Sequence, residues 1–205
     1  MRISVFVPAL LAVAGGAFLL RPVEAALGTP APATAPIASG SYTFDVGHSS
    51  ILFRIKHFNT AWNFGRFENY SGEFVLDEDP AKCSVKVEID AASVDSFNEQ
   101  RDQHITGPDF FSVKEFPKVT FESTRVALDG EDYTVMGDMT FHGVTKPVTI
   151  QLAKTGEGET RQGYKVGFLG ECTIQRRDFG IDTYPDEVLS DEVVLTLAIE
   201  AVRGE

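Results

Sequence analysis

Period-two hydrophobic alternation, repeated along most of the chain, most narrows the folds open to it. Ile51, Phe53, Ile55 and His57 alternate with Leu52, Arg54, Lys56 and Phe58. Val85, Val87 and Ile89 alternate with Lys86, Glu88 and Asp90. The pattern returns at Val119, Phe121 and Ser123, at Tyr133, Val135, Gly137, Met139 and Phe141, and at Val148, Ile150 and Leu152. It returns again at Phe168, Gly170, Cys172 and Ile174, and at Val193, Leu195, Leu197 and Ile199. Successive side chains of a strand point to opposite faces, so these segments predict half-buried antiparallel strands. With 42–46 and 65–76 added, about eight to ten strands follow at the spacing of a sandwich or barrel. Closing such a sheet into a barrel removes its exposed edges. At about eight strands the interior is either filled by its own side chains or holds one small ligand.

The connections carry matching turn chemistry. Asp129-Gly130 reads as a hairpin tip. The stretch 143–147 is expected to break one long segment into two, because Pro147 cannot serve a central strand. Residues 156–163 read as a polar loop. Residues 93–111 depart from period two and predict a short helix or irregular crossover covering one end of the sheet.

The interior of this all-β domain is unusually aromatic. The chain has 16 Phe against five Tyr and one Trp, and Phe buries a large area with no polar handle. The formal charge of -12 disfavours nucleic acid and anionic membrane surfaces as partners. Residues 1–25 read as an export signal: Arg2, an apolar run from Ile3 to Leu20, and a small-residue site at Val23-Glu24-Ala25. The run is also long enough for an uncleaved anchor, although the cleavage site favours removal. Residues 26–40 form a Pro/Ala-rich linker, and 41–205 the domain. The expected location is the periplasm or the exterior, membrane-anchored if the signal stays. Cys83 and Cys172 read as two buried thiols, with a disulfide as the alternative.

No metal centre is expected, because His48, His57, His104 and His142 lack zinc-site spacing. Ser49 follows His48 with no oxyanion-hole pattern, which argues against nucleophilic catalysis. Arg176 continues the apolar face of Phe168 to Ile174, and an inward arginine needs carbonyls, a carboxylate or an anionic ligand. A ligand head group and a rim acid such as Asp178 or Asp182 stand level as its partner. His57 likewise extends the face of Ile51, Phe53 and Ile55.

Ordered blocks across 42–202 resemble the YceI-like, polyisoprenoid-binding family of exported bacterial proteins. They are Tyr42-x-x-Asp45-x-x-His48-Ser49 with Phe53-x-x-x-His57, Gly65-x-Phe67 with Ser71-Gly72, and Arg101-Asp102-x-His104. They continue with Asp109-Phe110-Phe111, Phe116-Pro117-x-x-Thr120-Phe121, Gly137-x-x-Thr140-x-x-Gly143 to Val148, and Arg176-x-Asp178-Phe179-Gly180. Phe141-His142 stands where the family more often has a small aliphatic pair. The resemblance implies an extended, eight-stranded, lipocalin-like antiparallel barrel that binds an isoprenoid lipid or quinone and performs no catalysis. It also implies a homodimer, and a membrane as donor or acceptor of the ligand. No cofactor is expected. Phe53, Ile55, Phe67, Phe110, Phe111, Phe121, Met139, Phe168 and Ile174 would line the tail cavity, with His57 and Arg176 as polar contacts. The alternative is a hydrolase or isomerase acting on such a lipid with His57 or His48 as base.

Overall fold

A computed structural model describes residues 39–204. The expected signal segment lies outside the described residues, as does all of the expected linker except its last two positions. Among the described residues no helix is long and apolar enough to cross a membrane.

Eleven strands form one antiparallel sheet, and their pairing resolves into eight long staves. β1 (Gly40–Phe44) and β2 (Ser50–His57) lie end to end along one edge of β11 (Leu189–Arg203). β3 (Ala61–Phe67) returns beside β2, and β4 (Tyr70–Leu76) continues it beside β1. β5 (Ser84–Asp90) pairs with β4, and the two-residue β6 (Val94–Asp95) with β3. Four long strands complete the circuit: β7 (Lys118–Asp129), β8 (Asp132–Phe141), β9 (Val144–Thr160) and β10 (Gly163–Gln175), with β10 pairing to β11. The result is a closed, eight-staved antiparallel barrel, as the family resemblance implies and as one of the two architectures the alternation leaves open.

The first three staves break at neighbouring points, and side chains hold the breaks in place. Asp45 precedes a 3-10 turn at Val46–His48, and Asp90 Oδ1 accepts from Ala92 N to cap another at Ala91–Ser93. Ser93 Oγ accepts from Asn69 N at 3.0 Å, tying the third stave to the break in the second. Beyond the Asp90–Lys118 pair, β7 does not extend beside β6. Residues 96–117 fill that side of the barrel end, including the short helix α1 (Glu99–Ile105) capped by Asn98. Phe111 bridges the gap, with ring centroids 6.3 Å from Phe67 on β3 and 4.9 Å from Phe141 on β8.

Two local expectations need correction. The long segment does divide into β8 and β9, but at His142-Gly143, where both residues hold positive φ, and not at Pro147. Pro147 lies within β9, where it pairs on one side with Asp138 of β8, while the β9–β10 ladder starts only at Gln151. Its missing N–H therefore costs no ladder bond on the β10 side. Residues 156–163 are mostly strand, since β9 and β10 stay paired out to Thr160 and Gly163. That segment is polar because much of it is exposed.

Candidate ligand cavity

The inward rows of the staves do different work at the two ends of the barrel. At the end that holds both chain termini of the described domain, the rings pack against one another. Tyr42 stacks on Phe74 at 5.0 Å, and Phe168 meets Phe74 and Tyr133 edge-on at 5.8 and 5.5 Å. Only about 50 Å³ of empty space remains among them. At the opposite end, under the loops 58–60, 96–117, 142–143 and 176–188, a cavity of about 550 Å³ opens. That size is within the range of natural ligand sites.

Phe53, Ile55, His57, Phe67, Phe110, Phe111, Met139, Ile174 and Arg176 all line this cavity. Phe121 and Phe168 do not. Phe168 is held in the packed aromatic end, and Phe121 lies over Gly137, where an added Cβ would fall 2.5 Å from the ring. Strand parity makes both residues inward, but their level along the barrel axis removes them from the wall. Asn63, Ser96, Arg101, His104, Phe141, Val193 and Leu195 line it without having been anticipated. Val193 and Leu195 were legible as the inward row of β11. Arg101 and His104 stood in a recognised motif, but nothing local to it shows that it faces the cavity.

Polar groups gather at the mouth. Ser96 is buried, and Asp102 Oδ1 accepts from its backbone N–H at 2.8 Å and from its hydroxyl. Arg101 Nε donates to Ser96 Oγ at 2.7 Å. His57 is exposed at the β2–β3 tip, its ring 4.4 Å from that of Phe58. Among the described residues no hydrogen bond or ion pair orients its imidazole. His48 does not line the cavity. It sits in the exposed turn between β1 and β2, with Nδ1 3.0 Å from Asp45 Oδ2, which removes it as a base for a lipid held inside. Asp45, His48 and Glu200 place ligand atoms within 4.8 Å of one another. Lys165 Nζ bridges the two carboxylates at 2.8 and 2.6 Å.

Arg176 is 3% exposed. Its Nε donates to Ser190 O at 3.0 Å, Nη1 to Ile181 O at 2.6 Å, and Nη2 to Tyr184 O and Leu189 O at 2.8 and 2.9 Å. Four of the five guanidinium N–H groups are thus spent on main-chain carbonyls. Neither rim acid pairs with it directly. Burial, and then the charge of Arg177, hold its pKa below the ordinary arginine value. The side chain pins the 176–190 loop over the cavity, which leaves it little with which to grip a head group. Cys83 and Cys172 are both free thiols.

Three of the cavity's lining aromatic rings are exposed: Phe58, Phe64 and Tyr184, at 55, 53 and 46%. Phe58, Phe97 and Tyr184 hold φ of 49°, 64° and 66°, an uncommon conformation for bulky side chains.

The YceI-like domain family matches residues 42–201. A UPF0312 protein of Pseudomonas aeruginosa is 42% identical over 160 residues, covering 76% of this chain and 82% of its own length. Burkholderia cenocepacia BcnA superposes with a TM-score of 0.71 at 26% identity, over 78% of this chain and 99% of that one. A polyisoprenoid binding domain from Saccharophagus degradans, implicated in plant cell wall breakdown, gives a TM-score of 0.60 over 80% of this chain and 98% of its own. At 15% identity, that last likeness concerns the fold alone.

Proposed function

This chain belongs to the YceI-like family, and on that premise we propose that its barrel binds a long apolar ligand without transforming it. The ligand class is an isoprenoid lipid, an isoprenoid quinone or a similar amphiphile, carried or sequestered in the periplasm or outside the cell. The observation that carries this reading is the 550 Å³ cavity, with aliphatic and aromatic walls and polar side chains confined to its mouth. Each methylene moved from water into such a space contributes about 0.8 kcal/mol, so a tail binds without specific hydrogen bonds. His57, Asn63, Arg101 and His104 stand where a polar head would emerge. The apolar N-terminal run and its small-residue site support export.

The exposed rings at the mouth favour exchange of the ligand with a membrane. Aromatic side chains suit the interfacial layer of a bilayer, and the chain's net charge of -12 points to a zwitterionic surface over an anionic one.

The test is to fill the cavity. Leu195→Trp should abolish uptake of a fluorescent prenyl probe while leaving circular dichroism and melting temperature near wild type. Wild type should take up one equivalent and return it chemically unchanged. Failure of wild type to bind any prenyl probe at micromolar concentration would overturn the proposal, as would recovery of a converted product.

A further inference from the structure

We propose that Arg101 is the head-group anchor of this cavity, and that it makes the barrel prefer amphiphiles whose apolar tail ends in an oxyanion, a phosphate or a carboxylate. This inference rests on the lipid-binding reading above. The cavity wall is opposite in sign to the chain as a whole. The chain carries 30 Asp and Glu against 18 Lys and Arg. Yet among the described residues no carboxylate lines the cavity, whereas Arg101, Arg176, His57 and His104 all do. Such a wall spares an anionic head the repulsion that so acidic a chain imposes elsewhere.

The two arginines differ in what they have left to give. Arg176 spends four of its five guanidinium N–H groups on main-chain carbonyls. Arg101 spends two, both on one residue: Nε donates to Ser96 Oγ at 2.7 Å and Nη2 to Ser96 O. Ser96 is buried and is itself fixed by Asp102 Oδ1, which accepts from its backbone N–H at 2.8 Å and from its hydroxyl. One edge of the guanidinium is thus clamped, and three N–H groups remain on Nη1 and Nη2. Among the described residues these three have no acceptor, and no carboxylate pairs with Arg101. Nη1 is also accessible, since no buried side-chain nitrogen among those residues lacks a partner.

The Nη1 and Nη2 donors form a planar fork that matches two oxygens of a phosphate or carboxylate. The clamp on Ser96 orders this fork before a ligand arrives, so less side-chain freedom is lost on binding. A neutral hydroxyl takes only a weaker bond from the same edge. The two histidines are held less firmly. His57 has no hydrogen bond to orient it among the described residues, and His104 Nε2 already lies 3.9 Å from Asp109 Oδ2.

The experiment measures displacement of a fluorescent prenyl probe by farnesol, farnesyl phosphate and farnesoate, which share one tail and differ in the head. Wild type should bind at least one of the two acids roughly tenfold or more tighter than farnesol. Raising salt should shrink that ratio, because the anchor lies at a partly exposed mouth. In Arg101→Gln the ratio should fall to near one. Arg101→Lys, which keeps the charge and loses the fork, should recover only part of it. Circular dichroism checks that each variant folds, and if the glutamine variant does not, the lysine variant carries the comparison with a ratio below wild type. Inorganic phosphate alone, at the same concentration, should displace no probe. Equal affinity of wild type for the alcohol and both acids would overturn the inference alone, as would a wild-type ratio in a folded Arg101 variant or displacement by inorganic phosphate. Binding of none of the three ligands by wild type would overturn the lipid-binding reading and this inference with it.

Discussion

Replacing Arg176 with Met removes the group that pins the mouth loop, and the cost can be worked from its four acceptors. The Ile181 carbonyl is bonded in a buried setting, and an unpaired buried carbonyl costs about 1–3 kcal/mol. The carbonyls of Leu189 and Ser190 are partly buried, and each loses a charge-assisted bond that water replaces incompletely, about 1 kcal/mol apiece, whereas the Tyr184 carbonyl keeps its bond from Arg177 Nη2 at 3.1 Å and loses less. Together these give a loss of about 3–5 kcal/mol, a large part of the ~5–15 kcal/mol stability of an ordinary domain. Urea unfolding should show that loss, and amide hydrogen exchange should show faster opening of 181–190 with the far barrel end little changed. Arg176→Lys should recover less than half, because one ammonium cannot span four separated carbonyls. Because the guanidinium is already spent on the main chain, any loss of ligand affinity should be equal for a neutral prenyl lipid and its phosphate. A stability loss below about 1 kcal/mol would refute the reasoning, as would a loss of affinity confined to the phosphate lipid.

Three further outcomes follow. The hydrogen bond from Lys165, then that from His48, holds the Asp45 carboxyl below its ordinary pKa, so its contribution is present above the unfolded aspartate value and is lost as pH falls through the lowered one. Lys165→Met should therefore lower the melting temperature at pH 7 more than at pH 2, and an equal drop at both would count against the cluster. Burial pushes the Cys172 thiol up to about 12, so it should resist maleimide at pH 8 in the folded protein, while both cysteines label in urea without reductant; fewer than two labels in urea would show a disulfide. Gly65→Ala should drive the Phe53 ring into the cavity, because its Cβ would fall 2.2 Å from that ring and 2.9 Å from Asp95 O. A stability loss of about 1–3 kcal/mol with weakened probe binding is expected, and unchanged binding would argue against Phe53 as wall.

Alternation made the staves legible, because period two is a property of each segment alone. It did not reveal that Val46–His48, Glu68–Asn69 and Ala91–Ser93 interrupt three of them, since those breaks depend on contacts such as Ser93 to Asn69. Parity placed Phe53, Phe121 and Phe168 inside the barrel but gave no axial level. Only the registers between strands separate Phe53, which lines the cavity, from Phe121 and Phe168, which do not. Arg176 was legible as inward and in need of partners. Its partners are main-chain carbonyls of a loop whose side chains give no hint of the role. His48 and Ser49 drew attention by composition, yet they belong to the outer polar network around Asp45, Lys165 and Glu200.

A barrel that holds an apolar ligand in its upper cavity should give that ligand up on extraction. The most direct measurement is native purification from the protein's own cell, followed by organic extraction and mass spectrometry. Close to one equivalent of a single amphiphile class with an apolar tail should be recovered, chemically unchanged, and none from Leu195→Trp purified in the same way. Protein that yields no such molecule and takes none up when offered, or a Leu195→Trp variant that yields as much as wild type, would contradict it.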